Sequence, residues 1–491
     1  MFACALVGLA GSSAQAADRV LVMGRDGHVH ARLDRALPAA DVASAQPFVP
    51  ARATPRVRAA AGRAAAKRRA PTFRSELKRL FTSGQIEAGA YTEARRLFDQ
   101  CLSTARRLRG ARRVELLGVI ANMHDIAARG ALTASRLPVL LTTLERNREW
   151  WTTGRLLSYS QRVEFSGSEL VWEYYPGEGI ELQVLGTFGK ANGLWQSHQD
   201  GKLQALLDEM VALAVQRGPA LAWEYDFDFG GGAPPWTSAL SQATGIQALA
   251  RASVRLGEST YLAVARRALT LFRLPPPLGV RVRTALGARY LIYSYAPSQI
   301  VVNAFVQTLI GLLDYARIAH DPTADRLYRA GDRQARHDVA AVDTGAWSLY
   351  QLGGAESTLP YHELLRDFLR NLCDRTGVAV YCDTAQRFTQ DLSDPPVLEL
   401  LTHRVRARSH VLVRFHLSKV SRVGMTIRDA GGKTVLSTST TVARGDHAYA
   451  WRVPHRQGTY DVTLSGTDLA GNVARSAGTI DVVGAKAKPR R

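Results

Sequence analysis

The chain has 491 residues, a formal charge of +20 and a pI of about 10.2. That length exceeds one ordinary core and predicts two or three domains, and 46% hydrophobic with 22% charged residues is the balance of a globular protein rather than a disordered one. No run approaches the ~18 apolar residues of a membrane span, and zinc-finger spacing, an RNP-type aromatic signature and a P-loop are all lacking. The basic charge points to an acidic partner by long-range electrostatics without naming it.

The N-terminus, MFACALVGLAGSSAQA, is a short apolar run ending in Ala14-Gln15-Ala16, the small-x-small pattern of an export signal over 1–16. Residues 17–72 are rich in Ala, Pro and Arg, with a basic cluster at Lys67-Arg68-Arg69, and read as a disordered basic linker. Helical periodicity begins at Phe73 with Leu77 and Leu80. It continues through Ala94 and Phe98, Leu117 and Ile120, and Leu137 to Leu144, predicting a helical subdomain over 73–155. Cys101 falls on an amphipathic stretch and reads as a buried small hydrophobe.

From 156 to 188 the pattern turns to alternation, with Val163 and Phe165, then Leu170, Trp172 and Tyr174, around the turn Ser166-Gly167-Ser168; this predicts a short β-hairpin insertion. Helices follow at 199–217, 238–256, 258–272, 299–319, 322–341 and 361–375. Successive amphipathic helices with short Gly/Pro joints suit an α/α toroid, or partial α/α barrel, over 156–395. Cys373 and Cys382 are close enough for a disulfide, or are two packed thiols. After Pro395-Pro396 period-two alternation at Val411–Phe415, Val423–Ile427 and Tyr460–Leu464 predicts a small C-terminal β-sandwich over 400–484, then a basic tail at 485–491. The chain is thus expected to be mainly α. Gly458-Thr459-Tyr460 followed by Asp468 through Asn472 resembles immunoglobulin-like modules appended to secreted bacterial proteins.

Glu224, Asp226 and Asp228 alternate in WEYDFDF, so a strand would set them on one face. They could ligate calcium, supply part of a glycosidase-like pair, or form a solvated strand edge before Gly230-Gly231-Gly232. Gly177-Glu178-Gly179 reads equally as close backbone approach to a sugar or as a plain turn.

Four ordered blocks carry a further signal: Tyr174-Tyr175-Pro176 with Ile180; Pro234-Pro235-Trp236-Thr237-Ser238-Ala239 to Gln242-Ala243; Tyr293 with Pro297-Ser298, Asn303-Ala304-Phe305 and Leu309 to Asp314; and Asp343-Thr344-Gly345 with Tyr350, then Tyr361-His362. In order and spacing they resemble the catalytic domain of D-glucuronyl C5-epimerases. The resemblance implies an isomerase that epimerises D-glucuronate to L-iduronate within an acidic polysaccharide, without a cofactor. It implies catalytic roles for Tyr293, Tyr350 and Tyr361; Trp236, Gln242 and Asn303 within the matching blocks are candidate substrate contacts, and Arg289, His362 and Arg366, close to the tyrosines in sequence, are candidate cations for the substrate carboxylate.

Tyrosine suits the chemistry. The C5 proton is alpha to a carboxylate, one face must lose it and the other receive it, and a phenol can act on either side. Nearby cations would hold the substrate carboxylate and the charge that builds on it. The sequence departs from the family at Ile292, where the family has glutamate, at Gly353, where it has arginine, and at Thr237, where it has tyrosine. A lyase, which starts from the same proton abstraction, and a non-catalytic glycan-binding protein are the alternatives. The expected setting is secreted or cell-envelope, with an acidic polysaccharide rather than nucleic acid as partner; association with the cell surface and a homodimer are compatible with it.

Overall fold

The computed structural model describes residues 19–36 and 70–484. The expected signal segment, most of the expected linker and the basic tail lie outside them. The chain divides into two compact units, residues 1–300 with 307–334, and residues 301–306 with 335–491.

Unit 1 begins with a correction. Part of the stretch expected to be disordered is a hairpin, β1 (Arg19–Met23) and β2 (Val29–Leu33), and β1 pairs in parallel with β3 (Arg162–Phe165). With β4 (Trp172–Tyr175) and β5 (Gly179–Leu182) they form one sheet in the order β2-β1-β3-β4-β5. The Ala/Arg-rich average hid a four-residue apolar run, Val20 to Met23, which is buried in the sheet. Ions fasten it as well. Buried Lys190 pairs with Glu164 at 2.8 Å, Glu169 at 2.7 Å and Asp34 at 3.4 Å, and Arg32 pairs with Glu164 and Asp34.

Four helices follow the periodicity of 73–155. They are α1 (Phe73–Thr82), α2 (Ala88–Arg107), α3 (Gly110–Ala128) and α4 (Leu137–Thr153). Thr72 and Ser75 cap α1 reciprocally, and α4 carries a proline in its first turn. Phe73 stacks on Phe98 with centroids 4.7 Å apart, tying α1 to α2. Cys101 is buried, and burial pushes its thiol up to about 12.

The helices α5 (Val184–Gln196), α6 (Asp200–Ala212), α7 (Ala239–Leu256) and α8 (Ser259–Leu269) come next. The helix expected over 199–217 stops at Ala212. Residues Val215–Arg217 instead form β6, which pairs with β7 (Ala220–Ala222). A second short hairpin, β8 (Arg281–Arg283) with β9 (Ala288–Tyr290), was not legible in the hydrophobic pattern. The long helices α9 (Val302–Ala319) and α10 (Pro322–Ala341) match their expected spans closely.

Unit 2 holds α11 (Leu359–Thr376) and an additional helix, α12 (Ala379–Asp391), packed as a hairpin. Gly377, at φ 64°, ends α11 and donates its N–H to the Cys373 carbonyl at 2.8 Å. Cys373 and Cys382 are disulfide-bonded across this hairpin.

Its strands, β10 (Leu398–Leu400), β11 (Arg404–Arg406), β12 (His410–Leu417), β13 (Ser421–Arg428), β14 (Thr434–Val442), β15 (Gly445–Arg452), β16 (Gly458–Asp468) and β17 (Val473–Val483), form two sheets, β10-β12-β15 and β11-β17-β16-β13-β14. Phe415, Trp451, Met425, Tyr460 and Leu464 share their core, as the alternation predicts. These strands are bolted to the helical part of the same unit. Buried Lys419 pairs with Asp468 at 2.7 Å and donates to the Asp391 carbonyl at 2.7 Å, and its ammonium lies 5.3 Å from the Trp347 ring. The Glu356 carboxylate accepts the Val420 N–H at 2.8 Å and the Arg444 N–H at 2.7 Å.

Candidate functional site

In unit 1 the residues from Trp223 to Phe229 run extended, and their side chains alternate. Tyr225 pairs with Trp236 as an antiparallel bridge, and Phe229 with Gly232, closing a tight loop. One face is aromatic. Trp236 stacks on Tyr225 at 4.2 Å and meets Phe229, Tyr293 and Tyr295 at 5.9, 5.7 and 5.4 Å. Tyr293 is brought there by a backbone zipper, in which Ser294 N–H donates to the Thr237 carbonyl and Ala239 N–H to the Leu291 carbonyl.

Gly232 permits the loop. A Cβ there would lie 2.2 Å from the Tyr295 ring, so Gly232→Ala should displace Tyr295 and lower stability by about 1–3 kcal/mol. Chemical denaturation with a matched near-ultraviolet spectrum checks this, and unchanged values of both would contradict the packing described.

The other face carries the carboxylates, and it is not a solvated edge. Glu224 is buried and grips the Arg136 guanidinium with both oxygens, at 2.6 and 2.9 Å, while also pairing with Arg217. Those oxygens are spent on two arginines, which removes Glu224 from a calcium-binding reading. Asp226 is buried beside it, and burial, reinforced by the Glu224 charge, pushes its carboxyl up to about 7 against the pull of Arg136 and Arg217. Glu181 is likewise raised by burial and by Asp226. Arg136 and Arg217 escaped the sequence reading because one sits before a helix and the other inside a stretch that looked helical. Their only signal was an arginine in an otherwise apolar context.

Gln242 is also placed differently from the expected substrate contact. It is fully buried, donating to the Trp223 carbonyl at 2.8 Å and accepting the Trp223 N–H at 3.2 Å. It braces the aromatic segment against α7. Tyr175 and Tyr225 join the same region through Gln183, which donates to the Tyr175 hydroxyl at 3.0 Å and accepts from the Tyr225 hydroxyl at 3.3 Å. Burial raises both phenols, Tyr225 to about 12. Arg289 lies half-buried on β9 opposite Val282.

Unit 2 contains the other two tyrosines, and they meet. The Tyr350 and Tyr361 rings are 4.9 Å apart, edge to face. Tyr361 stands in the first turn of α11, after Pro360. Tyr350 sits on a loop fixed by its N–H donating to the Ala355 carbonyl at 3.0 Å, by the Leu349–Glu356 bridge, and by Glu356 itself. The Tyr350 hydroxyl is buried and has no hydrogen-bond partner among the described residues. Burial, and secondarily Tyr361, holds its phenol far above the ordinary value, so it is a neutral donor at physiological pH.

Asn303, at the start of α9, accepts the Ala304 N–H at 2.8 Å. Arg366 is mostly covered and donates to Asp367 at 2.8 Å.

His362 does not have the placement of a carboxylate clamp. It is fully buried, stacked on Trp347 at 3.9 Å, with Nε2 donating to the Phe388 carbonyl at 3.0 Å and Nδ1 accepting from Ser348. Burial first, then Arg366 and Lys419, lowers its pKa to about 4 from an ordinary 6.5. The imidazole is therefore neutral and structural.

Because the unfolded chain binds this proton more readily, unit 2 should lose stability as pH falls from about 6.5 to about 4, by up to about 3 kcal/mol. Asp391, raised to about 6 by burial and Asp343, acts in the opposite sense. The test is therefore a comparison of stability–pH slopes with His362→Phe, in which the imidazole's acid-side loss should vanish. An unchanged slope would contradict the assignment.

Residues 217–390 match the family described as D-glucuronyl C5-epimerase C-terminus. A D-glucuronyl C5-epimerase of Caenorhabditis elegans is 33% identical over 132 residues, 24% of this chain and 21% of that protein. An uncharacterised protein of Methanocaldococcus jannaschii is 26% identical over 168 residues, 33% of this chain and 54% of that protein. The chain thus spans about a fifth and about half of the lengths of these two relatives. Tyr293, Tyr350 and Tyr361 all fall inside the matched segment, and it is this segment that is similar to the C-terminal part of D-glucuronyl C5-epimerases.

Proposed function

We propose that the protein is a uronate C5-epimerase acting outside the cytoplasm, converting D-glucuronate to L-iduronate residues within an acidic polysaccharide. The observation that carries this reading is the Tyr350–Tyr361 pair inside the matched segment, with one buried phenol hydroxyl left for a ligand. Tyr350, held neutral, is the group that returns a proton to C5. Within the same unit Tyr361, once ionised, is the candidate for removing one. Arg366 is that unit's cation for the uronate carboxylate, stabilising the charge that builds on it as the proton leaves. In unit 1, Trp236 with Tyr293 supplies an aromatic face for a sugar ring, and Arg289 a cation. The disulfide and the expected export signal support an oxidising compartment. The α/α toroid remains our reading of the helical architecture, and the immunoglobulin-like module that of the C-terminal sheets.

A second reading follows from Ile292, which stands buried where the family has glutamate. With that acid missing, a lyase that expels the C4 substituent after the same first step is the competing chemistry. Incubation of the full chain with heparosan, followed by disaccharide analysis, separates the two. Unshortened chains containing iduronate are expected. Shortened chains with unsaturated, ultraviolet-absorbing ends would replace epimerase by lyase.

A further inference from the structure

Unit 1 contains a cavity of about 450 Å³ bounded by the β1–β2 turn, the C-terminal half of α4 and the residues at the end of β3, and none of the three tyrosines lines it. That volume falls within the roughly 300–1,000 Å³ usual for small-ligand sites. Three arginines line it: Arg25 from the turn, and Arg146 and Arg148 from α4.

Their partners decide what the cavity can hold. Arg146 is paired with Glu149 at 2.9 Å and lies 4.8 Å from the Phe165 ring. Asp26, the only other carboxylate of the lining, is used by the turn, accepting the His28 N–H at 3.0 Å. Among the described residues Arg25 and Arg148 form no ion pair, and the Arg148 Nε is buried with no hydrogen-bond partner among them. A buried unpaired guanidinium nitrogen costs free energy unless a ligand completes it. Ser166 and Thr153 add hydroxyls, and Met23 and Phe165 an apolar floor. Gly27, at φ 79°, lets the turn approach Thr153, whose Oγ1 would lie 3.2 Å from a Cβ at that position.

Planar guanidiniums, hydroxyls and a small apolar floor suit an oxyanion carried on a sugar. We propose that this cavity is a secondary site that binds a carboxylate- or sulfate-bearing residue of the acidic polysaccharide, separately from the epimerising site. The proposal rests on the functional reading above for its choice of ligand. Its test reads binding at the cavity itself and so stands or falls independently of C5 chemistry.

Hydrogen–deuterium exchange of the full chain is followed with three probes: a heparosan octasaccharide, a sulfated heparin octasaccharide and inorganic sulfate. Protection of residues 24–27 and 146–153 by an octasaccharide is expected. Protection by heparosan identifies the carboxylate as sufficient, and protection by heparin alone identifies sulfate as required. Arg25→Ala, on an exposed turn, should weaken this protection about tenfold in ligand concentration, and Arg25→Ala with Arg148→Gln should remove it. Absence of protection by both saccharides, protection by inorganic sulfate only, or protection indifferent to both variants would overturn the proposal.

Discussion

Tyr350→Phe should reduce C5 proton exchange by about 10²–10⁴-fold while leaving the fold as stable as the parent or slightly more so. The two halves of that expectation have one cause. The hydroxyl is buried and bonds to nothing among the described residues, so its removal costs no hydrogen bond there and relieves a desolvated polar group. If it has a use, the use is toward a ligand. Tyr361→Phe should lose activity comparably, and the double variant should lose little more than either single one, because residues acting on one proton path are not additive. Exchange rates measured at saturating substrate, beside denaturation midpoints, check this. A Tyr350→Phe protein that is less stable yet fully active would mean that the hydroxyl is structural.

The largest stability effect should come from Glu224→Ala. Glu224 is ion-paired with two buried guanidiniums, and truncating it leaves Arg136 and Arg217 without that shared partner. Breaking a buried pair on one side costs about 3–5 kcal/mol. Asp226 should respond, since it stands on the same face and its carboxyl is held up partly by the Glu224 charge. With that charge gone and both arginines in place, Asp226 should ionise at lower pH and recover part of the loss. Denaturation of Glu224→Ala and of Glu224→Ala with Asp226→Asn measures both effects. The double variant should be the weaker of the two, and equal stabilities would show that Asp226 does not replace Glu224.

Much of this was legible in the sequence where one physical signal dominated. The alternation of WEYDFDF correctly separates aromatic from acidic side chains, because a strand imposes period two whatever surrounds it. The sequence could not say that the acidic face is buried, since its counter-ions, Arg136 and Arg217, lie 88 and 7 positions away from Glu224. The helices with strong periodicity, α9 and α10 among them, fell where expected. The hairpin at 19–33 did not, because a composition average over 17–72 outweighed four apolar residues whose partner strand lies some 140 positions later.

Gln242 and His362 show a related limit. Their positions match a catalytic family, but a side chain's role depends on what its polar atoms already hold, and both are engaged with the protein's own backbone. The C-terminal strands read as an appended module, yet Glu356 and Lys419 tie them to the loop of Tyr350 within one unit. Those are single residues in unremarkable contexts, and only their partners reveal them.

The central claim is tested most directly by incubating the full chain with heparosan in deuterated water and following C5–H by NMR. Deuterium at C5 of an intact polymer, with iduronate signals appearing and with label lost in Tyr350→Phe, is the predicted result. A folded protein that leaves every C5 proton of heparosan and related uronate polymers unexchanged would contradict it.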